Sequence, residues 1–159
     1  MKKIWNRPDH AVWSLVTRGK DGVFNMNICS YVTAVSMKPK VMLVAVYGGT
    51  KTGDNIAIGE MVRLQLLSES QATLVRLLGQ QSGRKIPKLA RLKKRDCLAY
   101  QADWPYLTAA VGYLDLTITQ LLTVDLDHDL ALCAVMSHRN LSQAPILTTT
   151  YLKDKKFTR

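Results

Sequence analysis

Short runs of apolar and β-branched residues dominate this chain and predict a protein built mainly from β-strands. In residues 61–66, Val62, Leu64 and Leu66 fall on one face, a pattern typical of a half-buried strand. Residues 39–47 are apolar almost throughout and too short for a typical helix, which indicates a buried strand. Further strands are predicted over residues 11–17, 23–35, 114–119, 129–136 and 145–151.

Helical spacing is rare along the chain. Leu74, Leu77 and Leu78 recur at helical spacing after Ser70, which we expect to cap a helix that ends at Gly79. Residues 80–95 are polar and basic and predict a long exposed excursion with at most one or two helical turns. Neither repeats nor a low-complexity linker interrupt the pattern. We therefore expect a single domain over residues 1–159, a closed β-barrel with a few helices.

Composition narrows the class of protein. The 159 residues are 47% hydrophobic and 21% charged, which is ordinary for one globular domain. Neither a signal peptide nor a long apolar stretch is evident, so we expect a cytoplasmic protein without a membrane span. Cys29, Cys97 and Cys133 are odd in number and widely spaced, which favours neither a disulfide framework nor a metal site.

The charge is high and unevenly placed. The net charge is +10, and seven of the 22 basic residues lie between residues 84 and 95, with a second cluster in residues 153–159. Such clusters attract polyanions or a phosphate-bearing cofactor. Because no aromatic residues interleave with residues 84–95, recognition of nucleic acid is less favoured than a solvated basic surface.

Residues 48–53, Gly-Gly-Thr-Lys-Thr-Gly, follow the predicted strand 39–47 and resemble an anion cradle. The glycines allow close backbone approach, and Thr50, Lys51 and Thr52 supply two hydroxyls and one positive charge. A helix starting at Gly53 with Thr52 as its N-cap would direct free N–H groups at the same point. The alternative is a plain turn whose threonines only cap that helix. Neither a Walker loop nor a dinucleotide fingerprint is present.

Residues 25–30, Asn-Met-Asn-Ile-Cys-Ser, form a polar extended stretch that is suited to hydrogen-bonding the edge of a planar ring. A ring-edge loop and a phosphate loop in one domain together indicate a site for flavin mononucleotide (FMN).

Five short motifs in one order carry a resemblance to a known family. They are Asn-x-x-x-x-Ser at 25–30, Ser-x-x-Pro at 36–39, Thr-x-x-Asn-Ile at 52–56, Ser-Gly-Arg at 82–84 and Asp-His at 127–128. Together they resemble the flavin reductase-like family of FMN-binding split-barrel proteins, which includes the flavoredoxins. The chain departs from the family pattern at Leu126, Ile28 and Lys40, where the family commonly has glycine, threonine and a second proline.

The resemblance implies a mainly β fold, a six-stranded split β-barrel with a few helices, that forms a homodimer. FMN, rather than FAD, would lie in a groove near the subunit interface, with NAD(P)H as the electron donor. Backbone groups of one loop would bind the pyrimidine edge of the ring: Asn25, Met26, Asn27, Ile28, Cys29 and Ser30. Several polar residues would hold the phosphate or its loop: Thr50, Lys51, Thr52, Asn55, Ser82, Arg84 and Lys85. His128 would stand at the face used by nicotinamide.

Three functions follow as hypotheses. The first is an NAD(P)H-dependent flavin oxidoreductase, in which hydride passes from nicotinamide to flavin N5; this reaction needs positioning rather than an acid–base pair. The second is a flavoredoxin-like carrier that keeps its FMN and exchanges electrons with an acidic protein partner. The third is a basic binding domain that has lost catalysis.

Overall fold

The computed structural model describes residues 3–158 and is dominated by β-strands. Seven strands form one antiparallel sheet in the order β2-β1-β5-β8-β9-β4-β3, and two form a separate hairpin, β6-β7. The strands are β1 (Trp13–Arg18), β2 (Phe24–Met26), β3 (Val32–Met37), β4 (Lys40–Tyr47), β5 (Met61–Leu66), β6 (Leu98–Gln101), β7 (Trp104–Leu107), β8 (Gly112–Leu122) and β9 (His128–Asn140).

The segment between β2 and β3 closes the sheet into a barrel. Trp13 and Cys29 exchange two backbone hydrogen bonds, of 2.8 and 2.9 Å, which join this segment to β1. The Ala45 N–H donates to the Tyr31 carbonyl at 2.9 Å and joins the same segment to β4. The prediction of a mainly β barrel is thus confirmed. The main sheet has seven strands rather than the six that the resemblance implies, and the predicted run 23–35 divides into β2 and β3 at this crossing point.

The barrel has one apolar core inside and another outside. The inner core comes from alternate residues of the long strands, among them Leu15, Val44, Val62, Leu64 and Leu116. The outer core lies between β1, β2 and the helices and includes Val16, Met26, Leu78, Leu92, Leu107 and Leu152. Residues that alternate along one strand therefore enter two different cores.

Strand β5 is buried on both faces, so the prediction of a half-buried strand is wrong. Val62 and Leu64 face the inner core, while Arg63 and Gln65 are buried on the opposite side. Arg63 is 1% exposed, and its Nε donates to Asp115 Oδ1 at 2.7 Å. Its Nη1 donates to the Trp104 carbonyl at 2.7 Å. These partners satisfy the buried guanidinium and attach the β6-β7 hairpin, which the sequence pattern did not predict.

Among residues 3–158, four short α-helices complete the fold: α1 (Lys51–Ile56), α2 (Val75–Gly79), α3 (Lys88–Lys93) and α4 (Thr149–Asp154). Helix α1 begins two residues earlier than predicted because Thr50, not Thr52, is its N-cap; Thr50 Oγ1 accepts from the Gly53 N–H at 3.1 Å. A 3-10 helix, Glu69–Leu74, leads into α2, so the predicted leucine-rich helix is present but divided.

The structure also differs from the prediction at the Ser70 cap and at the predicted strand 145–151. Ser68, not Ser70, starts the helical segment, through a capping box with Gln71. The predicted strand 145–151 is reduced to isolated bridges at Ile146 and Thr148. Thr148 accepts from the Tyr151 N–H at 3.2 Å and thereby starts α4 where continued strand pairing was expected. Within residues 3–158, no helix is both long and apolar enough to cross a membrane.

Candidate functional site

A cavity of about 610 Å³ opens where the β2-β3 segment, the start of α1 and the loop after α2 meet. Its walls come from distant parts of the chain: residues 25, 27–31, 45, 47, 49–52 and 78–83, with Lys88 and His128. The lining includes ten residues from the sequence-based prediction: Asn25, Asn27, Ile28, Cys29, Ser30, Thr50, Lys51, Thr52, Ser82 and His128. No carboxylate is part of the described lining, which suits an anionic ligand.

The anion-cradle segment keeps donors free at the start of α1. Thr50 Oγ1 donates to the Tyr47 carbonyl at 2.9 Å and caps Gly53, so its hydroxyl is already committed. Within residues 3–158, the N–H groups of Lys51 and Thr52 make no hydrogen bond. Because α1 has only six residues, its dipole is small, and attraction of an anion depends on these N–H groups and the Lys51 ammonium.

The Asn25 side chain connects two walls of the cavity. Its Nδ2 donates to Thr52 Oγ1 at 2.9 Å, and both residues are buried. Gly83 lies so close to Asn25 that a Cβ added there would stand 3.0 Å from Asn25 Cγ and 3.3 Å from Lys51 Cβ. The absence of a side chain at Gly83 therefore allows the loop after α2 to pack on the cradle.

The side chains of residues 26–30 lie in different surroundings. Met26 is completely buried in the outer core and does not line the cavity. Asn27 accepts the Leu15 N–H through Oδ1 at 3.1 Å, which braces the segment against β1. The Cys29 thiol packs in the inner core, and burial raises its pKa to about 12, so it stays protonated. Ile28 packs against Gly79, and both line the cavity.

Lys88 is a site residue that sequence reasoning did not single out. It is 5% exposed, lines the cavity, and its Nζ donates to the Leu78 carbonyl at 2.7 Å. Within residues 3–158 no carboxylate pairs with this ammonium. Burial lowers the pKa of Lys88 to about 8. A buried cation without a counter-ion beside a cavity is a binding point for an anionic group.

One signal could have identified Lys88. It stands four residues before Leu92, which is completely buried in the outer core, so the two share a face of α3. The neighbouring cations Arg91 and Lys93 are exposed. The sequence shows seven cations in this region, and only the helical register separates the inward one from the others.

His128 lies between two tyrosines at the rim of the cavity. Its ring centroid is 5.4 Å from that of Tyr31 and 5.2 Å from that of Tyr47. The Nδ1 atom is 2.7 Å from Asp127 Oδ1, and since a carboxylate only accepts hydrogen bonds, Nδ1 carries the proton. Nε2 is then available for a ligand. The two tyrosines were absent from the sequence-based prediction.

Besides Met26, three predicted site residues lie outside the lining. Asn55 is buried, and its Nδ2 donates to Thr17 Oγ1 at 2.9 Å, which anchors α1 on β1. Arg84 makes two hydrogen bonds to Asp54, of 2.8 and 3.0 Å, and its hydrogen bond lowers the pKa of Asp54. Lys85 is exposed and contributes no wall. Within residues 3–158 no group of three His, Cys, Asp or Glu side chains is arranged to hold a metal ion.

Solved structures share this fold at low sequence identity. The NADH:FAD oxidoreductase SgcE6 of Streptomyces globisporus C-1027, in complex with NAD and FAD fragments, has a TM-score of 0.78 and 15% identity over 91% of this chain and 83% of its own. The styrene monooxygenase flavin reductase of Pseudomonas putida S12 has a TM-score of 0.72 and 18% identity over 89% of this chain and 86% of its own.

An FMN-binding protein from Thermus thermophilus gives a TM-score of 0.74 and 18% identity over 88% of this chain and 75% of its own. A longer protein from Sinorhizobium meliloti 1021 has a TM-score of 0.78 and 14% identity over 91% of this chain. This chain spans only 48% of the length of that protein. No curated protein matches the chain in sequence. The family model described as Flavin reductase like domain matches residues 9–157. The chain therefore belongs to the flavin reductase-like family.

Proposed function

We propose that the protein binds FMN in the 610 Å³ cavity and uses it as an oxidoreductase with NAD(P)H as the electron donor. The observation that carries this proposal is the pair of cations, Lys51 and Lys88, in a cavity whose described lining has no carboxylate. A neutral ligand would leave the buried Lys88 ammonium without an anionic partner. Family membership supports flavin as that ligand.

The residues present fit a flavin monophosphate. One end of the cavity offers the Lys51 ammonium, the free N–H groups of Lys51 and Thr52, and the Ser82 hydroxyl. These are the donors that a phosphate requires. The wall at Ile28, Tyr31 and Gly79 offers apolar and aromatic surface against which a planar ring would pack. The single compact cradle favours FMN over FAD, and equal or tighter binding of FAD in a titration would contradict that preference.

Lys88 and the phosphate cradle would have different tasks. Lys51 and Thr52 would anchor the phosphate, whereas Lys88, held beside Leu78 and Gly79, would place a positive charge against the polar part of the bound cofactor. A bound flavin accepts hydride from nicotinamide and passes electrons on. A nearby ammonium favours a cofactor that gains negative charge on reduction.

The rim formed by Tyr31, Tyr47 and His128 would receive the nicotinamide. Hydride transfer depends on the distance and stacking of two rings, so aromatic side chains that orient the donor are the residues the reaction needs. With Nδ1–H donating to Asp127, which fixes the imidazole, the Nε2 of His128 would accept a hydrogen bond at that position. We propose His128 as an orienting residue rather than an acid or base.

A flavoredoxin-like electron carrier is the second candidate, and one observation favours it. The exposed cations of α3 and the residues after it, Arg91, Lys93, Lys94 and Arg95, form no ion pair within residues 3–158. Because α3 also carries Lys88 into the cavity, an acidic protein steered to these cations would dock beside the cofactor. Retention of FMN through gel filtration without reduction by NAD(P)H would favour the carrier.

We propose further that the protein is a homodimer. Strand β3 is an edge of the sheet, and its Val35 and Met37 side chains are 49% and 79% exposed. An edge strand with exposed apolar residues commonly pairs with another chain. Analytical ultracentrifugation tests this; a monomer with full FMN affinity would contradict the dimer.

Equilibrium titration tests the proposed cofactor. We expect FMN to bind the protein and its visible absorption to shift on binding. Lys88→Met should weaken binding, while Lys93→Met, which removes an exposed lysine of the same helix, should not. Equal affinities for all three proteins would show that the ligand lies elsewhere.

A further inference from the structure

Two segments of the chain, residues 3–10 and residues 149–158, meet on the surface of the protein. Asp9 Oδ1 accepts from the Thr150 N–H at 2.8 Å and from Thr149 Oγ1 at 3.0 Å. The Thr149 N–H donates to the His10 carbonyl at 2.9 Å. Residues of both segments line one cleft of about 250 Å³. The hydrogen bonds therefore join the two segments into one surface.

This surface exposes large apolar side chains. Ile4 is 66% exposed and Trp5 is 68% exposed, and the 3-10 helix that carries them, Ile4–Asn6, buries none of its residues. Phe157, in the second segment, is 36% exposed. The Lys3 ammonium lies 5.4 Å from the centre of the Trp5 ring, so a cation accompanies the indole. Packing within the described chain therefore explains neither Ile4 nor Trp5.

The same surface is strongly basic. Asp9 and Asp154 are the carboxylates of the two segments, and Asp9 is held by the threonine donors of α4. Five exposed cations outnumber these two carboxylates and leave a net charge of +3, and none of the five forms an ion pair within residues 3–158. The five cations are Lys3, Arg7, Lys153, Lys155 and Lys156.

Lys156 carries its charge at a position where glycine would be less strained. The Phe157 N–H donates to the Leu152 carbonyl at 2.9 Å, and the Lys156 N–H donates to the Lys153 carbonyl at 3.0 Å. These two bonds end α4 in a Schellman motif, with Lys156 in the left-handed region at a φ of 60°. Because this conformation favours glycine, the backbone does not account for a lysine here.

We propose that this surface docks on an anionic lipid bilayer. We name it the basic aromatic face; it comprises the five cations together with Ile4, Trp5 and Phe157. Tryptophan and aliphatic side chains are suited to the boundary between headgroups and acyl chains, and lysine and arginine are attracted to anionic headgroups. The inference goes beyond the proposed function and requires no bound flavin.

Two other occupants fit the basic aromatic face less well. A second copy of the chain would bring two net positive faces together, and like charges in contact oppose association. A nucleic acid would neutralise the cations but offers no apolar layer for Ile4. A bilayer with anionic headgroups satisfies both the charge and the exposed apolar side chains.

Co-sedimentation of the full chain with lipid vesicles tests the proposal. We expect binding to vesicles of phosphatidylglycerol and phosphatidylcholine in equal parts, and weaker binding to phosphatidylcholine alone. Added salt should release the protein, because it screens the charge of the lipid surface. Tryptophan emission should move to shorter wavelength on binding, since the Trp5 indole leaves water. Trp5→Phe should lose this shift and keep most of the binding.

Three variants separate the apolar contribution from the charge. Trp5→Ala should weaken vesicle binding by about tenfold, because the bilayer no longer takes up the indole. Lys153→Gln combined with Lys155→Gln should weaken it by about fivefold for each lysine. Lys156→Gly should also weaken it by about fivefold, while thermal stability stays equal or rises because glycine relieves the left-handed backbone.

Lys38→Gln combined with Lys40→Gln is the matched control for charge. Both lysines are exposed and lie at the turn between β3 and β4. That turn is at the opposite end of β4 from Ala45, whose N–H donates to Tyr31 at the wall of the cleft. The control variant loses the same two charges as the Lys153 and Lys155 variant, and its vesicle binding should equal that of the wild type.

Three results would overturn the proposal. The first is no binding of the wild type to the anionic vesicles. The second is an equal loss of binding in the control variant, which would show that net charge alone attracts the protein. The third is intact vesicle binding in Trp5→Ala; if that variant instead loses dimerisation or binding to duplex DNA, the face belongs to a second copy or to a nucleic acid. FMN affinity should stay at the wild-type value in every variant, so failure here would leave the proposed function standing.

Discussion

Asn25 and Thr52 are 27 residues apart in the sequence, yet a buried 2.9 Å hydrogen bond joins their side chains inside the cavity. Thr52 Oγ1 accepts from the Asn25 amide, and its own hydroxyl proton is not used by any other residue between 3 and 158. This bond connects β2 to α1 and leaves the Thr52 hydroxyl able to donate to a ligand. The same Asn25 side chain contacts Gly83 on the loop after α2.

Replacement of Thr52 by valine should therefore weaken FMN binding and lower stability together. The hydroxyl donor is lost, and the buried Asn25 Nδ2 loses its acceptor, at a cost of about 1–3 kcal/mol in the free energy of unfolding. Adding Lys51→Ala should weaken FMN further by removing a charge-assisted contact, worth roughly 1.5–3 kcal/mol. Isothermal titration and urea unfolding measure the two effects. Thr33→Val, at an exposed position on β3, is the control.

Gly83→Ala should impair the site through its shape alone. The added methyl group would collide with the Asn25 side chain and approach Lys51 Cβ at 3.3 Å, so the loop must move away from the cradle. We expect at least tenfold weaker FMN binding with a smaller loss of thermal stability. Gly48→Ala is the matched control, because a Cβ there meets only the Asp127 carbonyl, at 3.5 Å. If the two alanine variants bind FMN equally well, the loop after α2 is not part of the site.

The pH dependence of FMN binding should follow the protonation of the Lys88 amine. Its pKa in the folded protein is about 8, so FMN affinity should fall as pH rises above 8 and the ammonium is lost, by up to about tenfold per pH unit. Titrations between pH 7 and pH 9.5 measure this slope, which should disappear in Lys88→Met and persist in Lys93→Met. A slope that survives in Lys88→Met would assign the titration to another group.

Stability of the flavin-free protein should change with pH in the opposite direction. The folded-state pKa of Lys88 is lowered from 10.5 to about 8, so between these values the unfolded chain binds more protons than the folded one. The contribution of Lys88 to the free energy of unfolding is therefore unfavourable below pH 8 and improves as pH rises toward 10.5. Lys88→Met should remove this rise in a urea-unfolding series.

Asp54 and Arg84 allow a test of whether Arg84 holds the phosphate or the loop. The pair is half-exposed, so each single variant should change thermal stability little. If Arg84 acts through Asp54 to hold the loop, Asp54→Asn and Arg84→Gln should raise the FMN dissociation rate equally, and the double variant should add nothing. Stopped-flow displacement measures the rates. A much larger effect of Arg84→Gln would show direct contact with the cofactor.

Local sequence patterns predicted the strands with regular alternation or long apolar runs, because those patterns reflect one packed face per strand. These patterns did not predict burial correctly for β5, which is covered on both faces. Arg63 and Gln65 occupy the polar positions of β5, but a second layer of structure covers that face, and hydrogen bonds to Asp115 and the Leu107 N–H satisfy them. A pattern of residue types cannot show whether a polar face meets water or another layer.

The candidate site was predictable in its loops and less so in its side chains. In the structure, residues of three of the predicted segments line one cavity: the cradle, the Asn25 segment and His128. The motifs could not show that the Thr50 hydroxyl caps α1 or that Arg84 pairs with Asp54. They also could not show that Lys88 is the buried one among the seven cations of residues 84–95. These outcomes depend on tertiary neighbours, which decide the partner of each polar group.

Anaerobic addition of NADH or NADPH to the FMN-loaded protein, followed by visible absorption, tests the central claim most directly. The account predicts that FMN binds, that its visible absorption is bleached by at least one of the two nicotinamides, and that Lys88→Met slows or weakens this response whereas Lys93→Met does not. Absence of FMN binding in equilibrium dialysis, or bound FMN that neither nicotinamide bleaches, would contradict it.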